Sequence, residues 1–205
     1  MINQLKGILA NFQAIDEHVI WELFKNGDYD AYEYFYQRYS TFLFRYGKKF
    51  VDDRDMVKDC IHDLFVELWI HKRKLGNPPE VKNYLAKSFR NKLLRQLKRN
   101  LKISYTEDQL LNHEFGEDPS PETALINEQM QTNQKRDLTK AIKNLTNRQK
   151  EIIFLVYYGD FSPSEVADIM KISVRTVYNT GFAAIQQLRK MLISLMTVFS
   201  LLVNM

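Results

Sequence analysis

The chain has 205 residues, is 26% charged and 45% hydrophobic, and carries a formal net charge of +4, so it is one large or two small domains. A single cysteine, Cys60, excludes an internal disulfide and fits a reducing cytoplasm. Helix-period apolar patterns dominate and strand signals are weak, which makes the expected fold class all-α. Met1 to Asn11 lacks the apolar core and cleavage site of a secretory signal.

In chain order, Asp16 to Lys25 is a first helix, with Val19, Ile20, Leu23 and Phe24 as its apolar residues. Asp28 caps a second, aromatic-rich helix ending near Phe50. Its rings, Tyr29 through Tyr46, read as core and half-buried packing. Asp52-Asp53 opens a third helix to about Ile70, with Val57, Ile61, Leu64, Phe65 and Leu68 as its stripe and Cys60 beside it as a small core residue. Asp59, Asp63 and Glu67 form an i, i+4, i+8 acidic row. With His62 between them a metal site is conceivable, but such a row more often faces solvent or a partner, and no metal or cofactor is expected.

The loop His71 to Glu80 carries Lys72, Arg73, Lys74 and Pro78-Pro79. The helix after it, Val81 to Lys102, turns Val81, Leu85, Phe89, Leu93 and Leu97 one way and Lys87, Asn91, Arg95, Lys98, Arg99 and Lys102 the other. Residues 71–102 hold eleven Lys/Arg (72, 73, 74, 82, 87, 90, 92, 95, 98, 99 and 102) against one acid, Glu80. With so few acids to offset it, the stripe is suited to following a phosphate backbone. Residues 103–134 reverse the charge, with seven acids (107, 108, 114, 117, 118, 122 and 128) and no Lys or Arg. Ser104 to Thr132 lacks periodicity, includes Asp118-Pro119-Ser120-Pro121, and reads as a flexible acidic linker between two helical domains.

Leu145 to Leu192 is laid out as a helix-turn-helix. Thr146 with Gln149, and Ser162-Pro163-Ser164-Glu165, are capping boxes. The first helix carries Ile152, Ile153, Leu155 and Val156 and stops at Gly159-Asp160. The second runs from Pro163 to Met170, and its small Ala167 permits a close crossing. Lys171-Ile172-Ser173 is the turn and Ser173 the next cap. On the third helix Val174, Val177, Gly181, Ala184, Ile185 and Leu188 share an inner face, and close packing accounts for the glycine. Arg175, Thr176, Asn179, Thr180, Ala183, Gln186 and Lys190 face outward, where polar side chains can meet base edges and phosphates. The apolar tail after Met191 is shorter than a membrane span and reads as a packed helix or partner surface. No phosphate loop, HExxH or CxxC is present, the four histidines are scattered, and the chain is not expected to be an enzyme.

Two blocks, residues 28–69 continuing through YLAKSFRNKLLRQLKR, and residues 145–192, resemble the second and fourth conserved regions of the sigma-70 superfamily. The compact layout is similar to the extracytoplasmic-function (ECF) group. The resemblance implies a region 2-like domain over 1–102, an acidic linker over 103–137, a region 4-like helix-turn-helix domain over 138–193 and an apolar tail over 194–205. It implies a sigma factor that binds core RNA polymerase and directs promoter recognition and transcription initiation. Asp59, Asp63 and Glu67 would then face polymerase. Lys72, Arg73, Lys74, Tyr84, Lys87, Arg90, Asn91, Arg95, Lys98 and Arg99 would bind the minus-10 element and its opened strand. Arg175, Thr176, Tyr178, Asn179 and Phe182 would meet the minus-35 element. Core RNA polymerase and promoter DNA are the implied partners, an anti-sigma factor is a further one the resemblance allows, and no small-molecule substrate is implied. Two departures stand out. Arg95 occupies a position where the family often has aspartate, and Thr180, Ala183 and Ala184 replace frequent basic residues of the recognition helix. Residues 145–177 also resemble the LuxR-type DNA-binding domain, which keeps a stand-alone regulator as the alternative.

Overall fold

The computed structural model describes Phe12, residues 15–101, Ile142 and residues 144–203, with 192–203 as backbone alone. Among these residues every regular element is helical, and the chain divides into two compact units, Met1–Leu110 and Leu111–Met205. The acidic linker and the side chains of the apolar tail lie outside the described residues.

The first unit is built from α1 (Glu17–Lys25), α2 (Tyr29–Gly47), α3 (Arg54–His71), a single 3₁₀ turn (Lys72–Lys74) and α4 (Val81–Leu101). Aspartates start three of the helices. Asp16, Asp28 and Asp53 accept from the backbone N–H groups of His18, Ala31 and Asp55/Met56, satisfying donors that the first turn leaves over. The second helix ends at Gly47 rather than near Phe50, because Lys48 caps it and Phe50 turns back into the core. Trp21, Phe24, Phe35, Leu43, Tyr46, Val57, Phe65, Leu85, Phe89 and Leu93 form that core. Burying one such side chain contributes about 1.5–3 kcal/mol. Trp21 meets Phe35 and Tyr84 edge-on, while Phe35 stacks on Tyr39. Helix α4 packs on α1, α2 and α3 together, so its buried arc is wide. Cys60 is a buried core residue, and burial pushes its thiol up.

The second unit contains α5 (Asn147–Ile153), α6 (Pro163–Met170) and α7 (Val174–Val203). Both expected capping boxes are present, at Thr146/Gln149 and Ser162/Glu165. Helix α5 continues into a wider π-helical turn, Phe154–Tyr158, where the Gly159 N–H bonds the Phe154 carbonyl at 2.9 Å. Lys171 ends α6 in the left-handed region at φ 54°, and Ser173 caps α7 by accepting from the Thr176 N–H at 3.0 Å. Helix α7 packs on both α5 and α6. Its backbone runs unbroken to Val203, so the third helix of the helix-turn-helix and the tail segment are one helix.

The inner face of α7 differs from the expected set at two places. Val174, in the first helical position, is 40% exposed rather than buried. At Gly181 an added Cβ would meet Ile152 Cγ2 at 3.5 Å, an ordinary contact, so close packing does not require glycine there.

Candidate nucleic-acid interface

The basic face of α4 is real as a surface. Arg95, Lys98 and Arg99 are exposed on its outer side, and Lys87 and Asn91 are half-buried along the same line. Arg73 and Lys74 are exposed in the turn before it. Lys72 is placed differently. Its ammonium donates to the Trp69 carbonyl at 3.1 Å and sits 4.1 Å from the centre of the Trp69 ring, a cation–π contact that turns it inward.

Arg90 must be removed from the DNA-facing set. It is 1% exposed and among the largest fully buried side chains. The cause is the three-sided packing of α4, which also buries Ala86 and Leu94 on its neighbouring turns. Tyr84 is half-buried and stands edge-on to Trp21 at 5.7 Å, so only part of its ring is presented.

The loop between the 3₁₀ turn and α4 is tied to α1, a link that spacing along the chain does not signal. The Trp21 indole N–H donates to the Gly76 carbonyl at 2.9 Å. Lys25 Nζ donates to Asn77 Oδ1 at 2.6 Å, and Asn77 Nδ2 donates to Glu22 Oε1 at 2.5 Å. Hydrogen bonds from Lys25 and then Asn77 hold the Glu22 carboxyl below the usual carboxylate range.

The acidic row lies on the exposed side of α3. Asp59 and Asp63 are exposed, while Glu67 accepts from Lys92 Nζ of α4 at 2.6 Å, tying the row's end to the basic helix. Ile70, 66% exposed, continues the row by three residues beyond Glu67. Among the described residues no group of three or more His, Cys, Asp or Glu is disposed to hold a metal ion.

In the second unit, the outer face of α7 presents Arg175 and Asn179 to solvent, with Thr176 half-buried beside the Ser173 cap. Tyr178 and Phe182, one turn apart, are 61% and 67% exposed. With exposed Val174 they make an i, i+4, i+8 apolar line along the first two turns. Tyr178 is thereby assigned to the outer surface rather than to the packing against α5. In helix-turn-helix proteins those first turns are the part that enters the major groove.

The model of sigma-70 region 2 matches residues 35–102, and that of sigma-70 region 4 matches residues 135–188. The chain is similar to the ECF RNA polymerase sigma factor SigM of Bacillus subtilis (strain 168), with 23% identity over 154 residues, 75% of this chain and 90% of that protein. Two solved structures share its fold. CnrH in complex with the cytosolic domain of CnrY has a TM-score of 0.58 at 18% identity, covering 87% of this chain and 99% of that one. The sigma factor RpoE in complex with the anti-sigma factor NepR, from Bartonella quintana, has a TM-score of 0.55 at 20% identity, covering 77% and 96%. With both conserved regions present in family order on separate helical units, the chain belongs to the sigma-70 superfamily, and it is similar to a member of the extracytoplasmic-function group.

Proposed function

We propose that this chain binds core RNA polymerase, carries it to promoters through two separate DNA contacts and opens the downstream one. The observation that carries this reading is the pairing, in one chain, of an exposed cationic helix face in the region 2 unit with an outward-facing recognition helix in the region 4 unit. Its part is binding and strand separation, with no covalent step and no cofactor.

Asp59, Asp63 and Glu67 are the face offered to polymerase, with Glu67 shared with Lys92. Arg73, Lys74, Lys87, Asn91, Arg95, Lys98 and Arg99 follow the phosphates of the minus-10 element, a mainly electrostatic contact that weakens with salt. Tyr84 offers part of its ring to an unpaired base. Lys72 supports this surface through Trp69.

At the minus-35 element, Arg175, Thr176 and Asn179 supply polar contacts to phosphates and base edges. Tyr178 and Phe182 suit thymine methyl groups, the one apolar feature of the major groove. The solved relatives RpoE and CnrH were each captured with a second protein, NepR described as an anti-sigma factor, which supports an inhibitory partner for this chain as well. The Met1–Leu110 and Leu111–Met205 units correspond to the proposed division of labour, with the acidic segment between the two matched regions as the connection.

The test is co-purification with core polymerase at moderate salt. Asp63→Lys should reduce capture while leaving the helical spectrum intact. Folded wild-type chain that does not associate with core polymerase would overturn the proposal.

A further inference from the structure

We propose that α1 is a positioning element for strand capture: Trp21, Glu22 and Lys25 fix the Gly76–Asn77 loop in the shape that receives an unpaired base of the opened promoter strand. This rests on the reading that the loop before α4 and Tyr84 bind that strand.

Three contacts converge on a short stretch. Trp21 is buried, yet its one polar atom reaches the Gly76 carbonyl at 2.9 Å. Asn77 is exposed, yet both ends of its amide are used. Its oxygen accepts from Lys25 at 2.6 Å and its nitrogen donates to Glu22 at 2.5 Å. Lys25 and Glu22 close the ring with their own pair at 3.1 Å.

The start of the loop is held from the same side. Gly27, at φ +94°, leaves room for the Lys72 stem, whose Cε would lie 3.3 Å from an added Cβ, and Lys72 is itself seated on Trp69. Pro78-Pro79 stiffens the exit into α4. Between these anchors the stretch stays open. A Cβ at Gly76 would meet nothing within 4 Å.

Trp21 also supports the other wall, since its ring stands against Tyr84 at 5.7 Å. One buried side chain therefore sets the distance between the loop backbone and the aromatic ring. A loop ordered before binding does not lose its conformational freedom when the base arrives, so each anchor contributes to capture without touching DNA.

The experiment uses the full chain bound to core polymerase and a promoter fragment already unpaired at the minus-10 element, with each of the four bases placed in turn at each unpaired position. Affinity and base discrimination are read together, alongside affinity for core polymerase. Glu22→Ala removes an anchor on α1, away from the loop. It should weaken capture about three- to tenfold, the range of one or two hydrogen bonds, and flatten base discrimination with core affinity unchanged. Asn77→Ala should do the same, and Glu22→Gln, which keeps an acceptor oxygen, should recover most of the loss. Wild-type discrimination retained by Glu22→Ala overturns the positioning role, including where Asn77→Ala alone shows a loss and is therefore a direct base contact. A wild-type complex with no base preference on the opened strand overturns the reading of the loop itself, and the positioning role with it.

Discussion

Two glycine-to-alanine changes of identical chemistry should move stability in opposite directions. Gly47 closes α2 where α3 and α4 cross it. A Cβ there would stand 2.6 Å from Val57 Cγ1 and 2.9 Å from Phe89 Cζ, both on side chains with no exposed surface. Those neighbours lie in a filled core and cannot yield without moving a helix. Overpacking of this kind costs about 1–3 kcal/mol, and the helix preference of alanine returns at most about 1 kcal/mol. Gly181 lies in mid-helix with its nearest neighbour at 3.5 Å, so only the propensity gain of about 1 kcal/mol remains. The assay can separate the two units because both tryptophans, Trp21 and Trp69, belong to the first. In urea, Gly47→Ala should lower the midpoint of the tryptophan fluorescence transition. Gly181→Ala should leave that transition in place and raise the midpoint of the remaining helical signal. A Gly47→Ala chain as stable as wild type, or a destabilised Gly181→Ala chain, would refute the packing account.

Phe182→Ala should leave the melting temperature within experimental error, because the ring is 67% exposed, yet weaken minus-35 binding. Replacing thymine by deoxyuridine in that element should cost wild type about 0.8 kcal/mol per contacted methyl, and Phe182→Ala much less, as measured by competition binding. Arg95→Gln should lower the salt slope of binding to unpaired minus-10 DNA by about 1, read from affinities across a salt series. Arg90→Gln should act on the fold instead. Denaturation should show a loss of about 1–3 kcal/mol, while the folded fraction keeps its DNA affinity and salt slope. Lys92→Gln should change stability by less than about 1 kcal/mol in a salt-sensitive way, since Glu67 across from it is largely exposed, as a denaturation series at low and high salt will show.

Features encoded locally were legible in the sequence. The caps at Asp28, Asp53, Thr146, Ser162 and Ser173 are where the residue types place them, because each cap joins atoms within a few positions. Helix α6 spans the predicted residues, Pro163–Met170, for the same reason. The exposed cations of α4 followed from period alone. Arg90 did not, because the width of a buried arc depends on how many helices pack against it, and α4 meets three. The Trp21–Gly76 and Glu22–Asn77 bonds span 55 residues and leave no periodic trace. Period placed Val174 on the inner face of α7, yet it is exposed, as Tyr178 is, because the crossing with α5 and α6 decides how far the buried face extends.

The central claim is that both units act together through polymerase. Its most direct test is transcription in vitro with purified core polymerase, this chain and a library of promoter fragments, with start sites mapped. The expected result is initiation at defined starts only when the chain is present, from fragments sharing two upstream elements, and lost when either Arg95→Glu or the pair Arg175→Ala/Phe182→Ala is introduced. Initiation unchanged by adding the chain, or tight binding of the chain alone to a palindromic duplex without polymerase, would contradict it.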